Sequence, residues 1–357
     1  MSSDNGTITD DEKAFYDRQI RLWGLEAQNR LRSSSVLIAG LSGCGSEVAK
    51  NLMLAGLKSL TLLDHKTVSP YDHCSQLLLS CDSVGKNRAE ASLHKCKVLN
   101  PNVHLRVDTD DITNKDEDFF AGFDLVILVD QKYSVVSDIN KICRKIGKPF
   151  IAGGVFGWIG YAFFDFTDCP FLITIPKVSL GGVLEDEVLD KKRPRLDVGI
   201  KNGMVSDHNA APLDVVLDDD EKVEKKFTYP LWHDAWNVDW SHKKFIRKKR
   251  RYLPRSYFPI RVLLRLYDVD DNINQDKFME SWKKELVECN QDLNDEFFDI
   301  KFFSRFISPQ LSPAAAIVGA LMAQEAIKVL SQKDEPLKNV FLYSAIDSSG
   351  VVCHLPP

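Results

Sequence analysis

A glycine-rich turn between an apolar run and a helical stretch constrains the fold of this chain more than any other feature. The run Ser35–Ala39 leads into Gly40-Leu-Ser-Gly-Cys-Gly45, and a helical pattern over 46–55 follows. A second apolar run, at 59–64, closes the unit. A strand, a tight turn, a helix and a second strand in this order predict a β-α-β unit, in which the two strands are parallel.

The same alternation continues along the chain. Apolar runs lie near 103–107, 124–130 and 149–153, and helical patterns lie near 86–99 and 135–146. Strands that are apolar along nearly their whole length are typical of a parallel sheet with helices on both faces. The sequence therefore predicts an α/β, Rossmann-like fold with a mostly parallel sheet. Residues 160–176 differ, because their pattern favours antiparallel strands.

Composition divides the chain into four parts. We predict a nucleotide-binding-like domain at 1–180, a charged flexible insertion at 181–226, an inserted small helical subdomain at 227–300, and a return to the first domain at 301–357. The insertion is rich in charge and poor in aromatic residues, which indicates a segment without a packed core. The subdomain contains Trp232, Trp236 and Trp240, whose spacing of four residues predicts the buried stripe of a helix.

Length, charge and hydropathy exclude several classes of protein. The 357 residues are 44% hydrophobic and include 20 Phe and 6 Trp, which excludes a disordered chain. The net charge is −5, so we expect no nucleic-acid partner. No unbroken apolar run approaches the roughly 18 residues of a membrane span, and residues 1–11 are polar and acidic. We therefore expect no membrane contact and no targeting peptide.

The cysteines indicate neither a metal site nor a disulfide framework. There are eight, and no two have the spacing Cys-x-x-Cys that structural zinc sites use. A chain of this length without a secretory signal is expected to keep its thiols reduced. We predict no metal ligands in this chain.

The first 30 residues predict one capped helix. Thr9 and Glu12 have the spacing of a capping box, in which each residue bonds the backbone N–H of the other. The apolar residues Phe15, Ile20 and Trp23 then recur at helical spacing.

The glycine-rich turn departs from the dinucleotide-binding pattern at one position. It aligns as G-x-S-x-x-G, with Ser42 at the central glycine between Gly40 and Gly45. That central residue normally lets the backbone approach a phosphate. Asp64 follows Gly40 at a strand end, where an acid can bind ribose hydroxyls. Gly43 completes the turn. Either a mononucleotide site or a nucleotide-binding fold with a decayed pocket fits this pattern.

The segment Tyr16-Asp-Arg-Gln-Ile-Arg-Leu-Trp-Gly24 lies before this turn. Together with the turn, it resembles the noncatalytic half of the activating enzymes of ubiquitin-like proteins. The resemblance continues through Asn51-Leu-Met-Leu-Ala-Gly56, Asn100-Pro101 and residues 313–332. It implies a Rossmann-like, adenylation-type fold. The length of the chain favours the short subunit of the SUMO-type enzyme, since the corresponding chains elsewhere in the family are longer.

The resemblance implies that ATP and Mg²⁺ are bound mainly by a partner subunit. Active members carry an Asn-x-Asn-Arg-Gln run after the ribose-binding acid, and this chain has Asp72-His-Cys-Ser-Gln76 there. Ser75 thus replaces a phosphate-binding arginine, and Arg88 replaces a lysine. Asp130 matches the Mg²⁺-binding acid of the family. A phosphate site with one cation lost and one anion gained is a degenerate pocket, and we expect no adenylation by this chain alone.

The resemblance assigns one catalytic residue, Arg18, which would reach in trans to the ATP phosphates of the partner. A guanidinium suits this role because it is always charged and makes forked hydrogen bonds to phosphate. The alternative is a solvated arginine paired with Asp17 or Glu12.

The implied partners are a catalytic subunit in an obligate heterodimer, the modifier SUMO, and a conjugating enzyme recruited through the catalytic subunit. We expect a nuclear and cytoplasmic location, with Lys191-Lys-Arg-Pro-Arg195 as the import candidate and a second basic run at 243–251 as a solvated face.

Three other readings of the sequence remain. A self-sufficient adenylyltransferase of the molybdopterin or thiamine pathway would keep the phosphate-binding arginine and usually has paired Cys-x-x-Cys motifs. An NAD-linked oxidoreductase would need the central glycine and a catalytic second domain. A structural scaffold would differ from the favoured reading only in the role of Arg18.

Overall fold

A computed structural model describes residues 8–175, 221–241, 253–270, 272–289 and 303–356 of the chain. The strands, in chain order, are β1 Ser35–Ala39, β2 Ser59–Leu63, β3 His104–Asp108, β4 Leu125–Val129, β5 Phe150–Phe156, β6 Ile159–Asp165, β7 Pro170–Ile175, β8 Glu221–Lys226, β9 Val340–Ser344 and β10 Ser349–Cys353. The helices are α1 Asp10–Phe15, α2 Asp17–Trp23, α3 Leu25–Ser33, α4 Gly43–Ala55, α5 Arg88–Leu99, α6 Glu117–Ala121, α7 Tyr133–Lys145, α8 Trp232–Trp236, α9 Tyr257–Val269, α10 Gln275–Glu288, α11 Phe303–Phe306 and α12 Ser312–Ser331.

Eight strands form one sheet in the order β10-β9-β6-β5-β4-β1-β2-β3. Five neighbouring strands, β5, β4, β1, β2 and β3, are parallel to one another. Strands β6, β9 and β10 pair antiparallel at the other side of the sheet. The predicted α/β, Rossmann-like fold with a mostly parallel sheet is confirmed. Strands β7 and β8 form a separate antiparallel pair.

Alternate side chains of the central strands serve two different cores. On β1, Leu37 belongs to the core that also contains Trp232 and Trp236 of α8, while Ile38 belongs to the core under α4 and α12. This alternation follows from the two-residue period of a strand. The sheet is therefore covered by helices on both faces.

The N-terminal segment and the tryptophan stripe differ from the prediction. The capping box of Thr9 and Glu12 is present, but the single helix is instead three short helices. The breaks fall at Tyr16, whose ψ of 15° leaves the helical region, and at Gly24, whose φ of 89° glycine tolerates best. Helix α8 ends at Trp236, so Trp240 is buried beside it from a turn.

Part of the domain division falls outside the described residues, including most of the insertion at 181–226 and all of 290–302. Both basic runs, 191–195 and 243–251, also lie outside them. Within the described part, β9 pairs with β6, so the C-terminal segment extends the sheet of the N-terminal one. The three boundaries between these four parts stay a prediction.

Helix α12 is the one described helix that is long and apolar enough to cross a membrane by length and composition. Its charged residues Glu325 and Lys328 pair with each other. Glu325 is fully buried, accepts a hydrogen bond from the Leu337 N–H at 2.6 Å and pairs with Lys328 at 2.7 Å. The helix packs against α4 and the sheet, which is the arrangement of a core helix.

Candidate functional site

The candidate site lies where the strand order of the parallel sheet reverses, between β1 and β4. Gly40 follows β1, and Asp130 follows β4. In open α/β sheets the crevice beyond the carboxyl ends of such strands is the usual ligand position. Asp130 has a φ of 50°, which is uncommon for a residue other than glycine.

Two positions of the turn require glycine because the backbone of another residue lies too close for a Cβ atom. Gly40 has a φ of 104°, and a Cβ there would lie 2.0 Å from the carbonyl oxygen of Val129. A Cβ on Gly45 would lie 2.0 Å from the carbonyl oxygen of Gly40. These are the tight-turn and helix-packing roles of the first and last glycines of the pattern.

The buried carboxylate of Asp130 is occupied by three donors of this chain. Ser42 donates its hydroxyl to Oδ2, Gln310 donates Nε2 to the same oxygen at 2.7 Å, and the Val155 N–H donates to Oδ1 at 3.0 Å. Burial raises the pKa of Asp130 above its ordinary value, although these three hydrogen bonds oppose the shift. An acid with these donors has few free positions for a metal ion.

The phosphate side of the turn is filled by side chains. A Cβ on Gly43 would lie 2.2 Å from the Ser75 hydroxyl and 2.9 Å from Oε1 of Gln310. That Oε1 also accepts the Cys44 N–H at 3.3 Å, at the amino end of α4. A helix amino end with free N–H groups is an anion site. Here, the amide of Gln310 takes the place of the anion.

Arg88 is a cation that this chain neutralises internally. It pairs with Asp64 at 2.8 Å and with Asp72 at 3.3 Å, and its side chain is only 11% exposed. Asp64 also accepts the backbone N–H groups of Leu41 at 2.7 Å and Lys66 at 2.9 Å. The acid expected to bind ribose and the cation expected near phosphate therefore bond each other.

A cavity of about 520 Å³ opens in front of these groups. Its wall includes Phe156 and Tyr267, whose rings stack with centroids 5.3 Å apart. Among the residues that the structure describes, no three His, Cys, Asp or Glu side chains are placed to hold a metal ion.

Arg18 lies apart from this cavity, on the exposed side of α2. The alternative pairing with Asp17 or Glu12 is not what the structure shows. Asp17 pairs with Arg21 at 3.0 Å, and Glu12 pairs with Arg32 at 2.8 Å. In the described part of the chain Arg18 has no ion pair.

The structure thus brings Ser42, Gly43, Asp64, Arg88 and Asp130 into one crevice and leaves Arg18 outside it. Sequence reasoning missed Gln310, the residue that connects Asp130 to the amino end of α4. Gln310 lies 180 positions after Asp130 along the chain. No local motif surrounds it, so only the fold reveals its position.

The chain belongs to the ThiF family, whose model matches residues 16–355. Its similarity is to SUMO-activating enzyme subunit 1, and the resemblance drawn from the segment at 16–24 is confirmed. The Homo sapiens protein of that name is 38% identical over 358 residues, which cover 99% of this chain and 97% of its own length. SUMO-activating enzyme subunit aos-1 of Caenorhabditis elegans is 36% identical over 97% of this chain and 98% of its own.

Solved structures with the same fold are more distant. A structure of E. coli MccB with succinimide has a TM-score of 0.52 at 15% identity, covering 96% of this chain and 71% of its own. A structure of PaaA has a TM-score of 0.52 at 16% identity, and the match covers 98% of this chain and 76% of the PaaA chain. At these identities the likeness shows the fold alone.

Proposed function

We propose that this chain is the noncatalytic subunit of a heterodimeric SUMO-activating enzyme, and that it supplies Arg18 in trans to the ATP phosphates of a catalytic partner. The partner would bind ATP and Mg²⁺, adenylate the C-terminal glycine of SUMO, form the thioester and recruit the conjugating enzyme. The names of the relatives support an activating enzyme with at least two subunits.

The crevice of this chain does not fit a triphosphate with magnesium. Ser75 and Gln310 fill the space over Gly43, and Arg88 is neutralised by two carboxylates. Adenylation moves negative charge onto the leaving pyrophosphate, which requires cations that are free to meet it. We therefore propose that adenylation takes place on the partner and not in this crevice.

The observation that carries the proposal is the position of Arg18 relative to that crevice. Ser42, which caps the amino end of α4, lines the crevice. Gln19, next to Arg18, donates to the Leu54 carbonyl near the other end of the helix. A helix of 13 residues is about 20 Å long. This is far longer than an arginine side chain, so Arg18 does not reach the crevice of its own chain, which supports a role on another chain.

Apolar side chains around Arg18 support a partner surface there. Phe15 is 55% exposed and Leu22 is 73% exposed, and Leu25 and Leu54 are also exposed. Leu22 and Leu54 line a groove of about 460 Å³ between α2 and α12. An exposed apolar patch of this kind is typical of a protein interface.

The test is ATP–pyrophosphate exchange, in the presence of SUMO, by the complex of this chain with its catalytic partner. Arg18→Ala should lower the exchange rate about 10- to 100-fold. A hydrogen bond to a charged group contributes about 1.5–3 kcal/mol, and about 1.4 kcal/mol corresponds to a factor of ten.

Arg21→Ala is the matched control, because Arg21 lies on the same helix, is exposed and pairs with Asp17. It should leave exchange within about twofold of the unmodified complex. Both variants should form the complex normally in sedimentation experiments. Full exchange activity in the Arg18→Ala complex would contradict the role of Arg18 and favour the alternative in which this chain is only a structural scaffold.

We also propose the nuclear and cytoplasmic location expected from the basic run at 191–195. Fluorescence imaging of the chain with this run replaced by alanines should show a loss of nuclear signal.

A further inference from the structure

The carboxyl end of α4 is held by polar side chains from two segments. Backbone carbonyls in the last turn of a helix lack partners within the helix. In this chain Asn100, Gln19 and Gln28 donate side-chain amides to the carbonyls of Met53, Leu54 and Ala55, respectively, at 2.8, 2.9 and 2.9 Å. We call these three amides the clasp.

Two of the clasp residues fix the segment that carries Arg18. Asn100 is fully buried and donates to the hydroxyl of Tyr16 at 2.8 Å as well as to the Met53 carbonyl. Tyr16 is itself buried, and its ring lies against Gly56. Tyr16 therefore sets where α2 begins relative to α4.

Gln19 sets the rotation of α2. Gln19 and Tyr16 are three residues apart, so they lie on the same side of the helix, toward α4, while Arg18 lies on the exposed side. The Oε1 atom of Gln19 is buried with no donor among the described residues, which costs stability. An alanine would avoid that cost but would leave the Leu54 carbonyl without this donor, so the hydrogen bond rather than packing is the contribution of the glutamine.

We propose that Gln19 is a positioning residue for the adenylation reaction, acting through Arg18. Its hydrogen bond to the Leu54 carbonyl, with the Tyr16–Asn100 pair, fixes the direction in which the Arg18 guanidinium leaves α2. Because Arg18 must meet a phosphate on another chain, a small rotation of α2 would misplace it. This inference rests on the proposed function of Arg18.

The test is a double-mutant cycle in the complex with the catalytic subunit, measuring kcat and KM for ATP in ATP–pyrophosphate exchange. Gln19→Ala should lower kcat about tenfold. The substitution would let the Arg18 guanidinium shift, and a misplacement of about 1 Å in a reacting group can cost up to about 100-fold in rate. Gln19→Glu is the matched variant, because a carboxylate of the same size cannot donate to the Leu54 carbonyl. It should lose at least as much kcat as Gln19→Ala.

In the Arg18→Ala background, both substitutions at Gln19 should have no further effect on kcat, and the dissociation constant of the complex should stay within about twofold. Additive losses would overturn the positioning role in favour of a structural one. Normal kcat in both single variants, with a clear loss in Arg18→Ala, would overturn this inference alone. Full activity of Arg18→Ala would overturn the proposed function and this inference with it.

Discussion

At the scale of single residues, Gly56 meets two requirements at the end of α4. Its φ of 80° lies in the left-handed region, which is the usual conformation of a residue that ends a helix. A Cβ at this position would also lie 2.6 Å from the ring of Tyr16. The glycine thus lets the helix end and the Arg18 segment pack on that end.

Gly56→Ala should destabilise the isolated chain more than Gly85→Ala does. Gly85 has a φ of 84° and nothing within 4 Å of its Cβ position, so alanine there costs only backbone strain, about 1–2 kcal/mol. Gly56→Ala should cost a further 1–3 kcal/mol or so, because the Tyr16 ring must move. Equilibrium unfolding in urea measures both values. Equal losses would show that the Tyr16 contact contributes nothing.

The sequence located most of the crevice because its residues follow strand ends. Gly40 and Gly45 stand in a recognisable turn, and Asp64 and Asp130 each follow an apolar run, so their meeting at one edge of the sheet could be anticipated. The ion pairs of Arg88 could not be anticipated, since the carboxylates of Asp64 and Asp72 approach it from different segments. Gln310 could not be found at all, because its contact depends on long-range packing.

At the scale of elements, the crossing of α4 and α12 depends on one glycine. A Cβ on Gly319 would lie 2.7 Å from Cβ of Glu47 and 2.8 Å from the carbonyl oxygen of Cys44. The two helices therefore approach at backbone distance. This brings α12 over the amino half of α4, next to the crevice.

Gly319→Ala should lower the free energy of unfolding by up to about 2 kcal/mol. Overpacking costs about 1–3 kcal/mol, and the higher helix propensity of alanine offsets roughly 1 kcal/mol of it. Ala320→Gly, at the neighbouring exposed position, calibrates that propensity and should cost about 1 kcal/mol. A Gly319→Ala protein that is more stable than the parent would contradict the close crossing.

Element prediction succeeded for the parallel strands and failed where one residue interrupts a pattern. Continuous apolar runs gave β1, β2, β4 and β5 because each buries both faces. The single N-terminal helix was wrong, since Gly24 and the buried ring of Tyr16 break a helical periodicity that the apolar residues alone continue. Tertiary packing of Tyr16 against Gly56 is not visible in local spacing.

At the scale of the whole molecule, the two ends of α4 have different roles. The amino end faces a crevice in which the Cys44 N–H is bonded to Gln310 and Arg88 is paired with Asp64. The carboxyl end holds the segment with the exposed Arg18. We infer a subunit that keeps the architecture of a nucleotide site without its binding capacity. In the proposed function, the charged group for ATP is Arg18, which would act on a site of the partner chain.

Equilibrium dialysis with labelled ATP and Mg²⁺ tests this division of roles most directly. The isolated chain should bind no ATP, and the complex with its catalytic partner should bind one ATP per pair of chains, with weaker binding when Arg18 is replaced by alanine. ATP bound by the isolated chain, or two ATP per pair, or unchanged affinity in the Arg18→Ala complex would contradict the account.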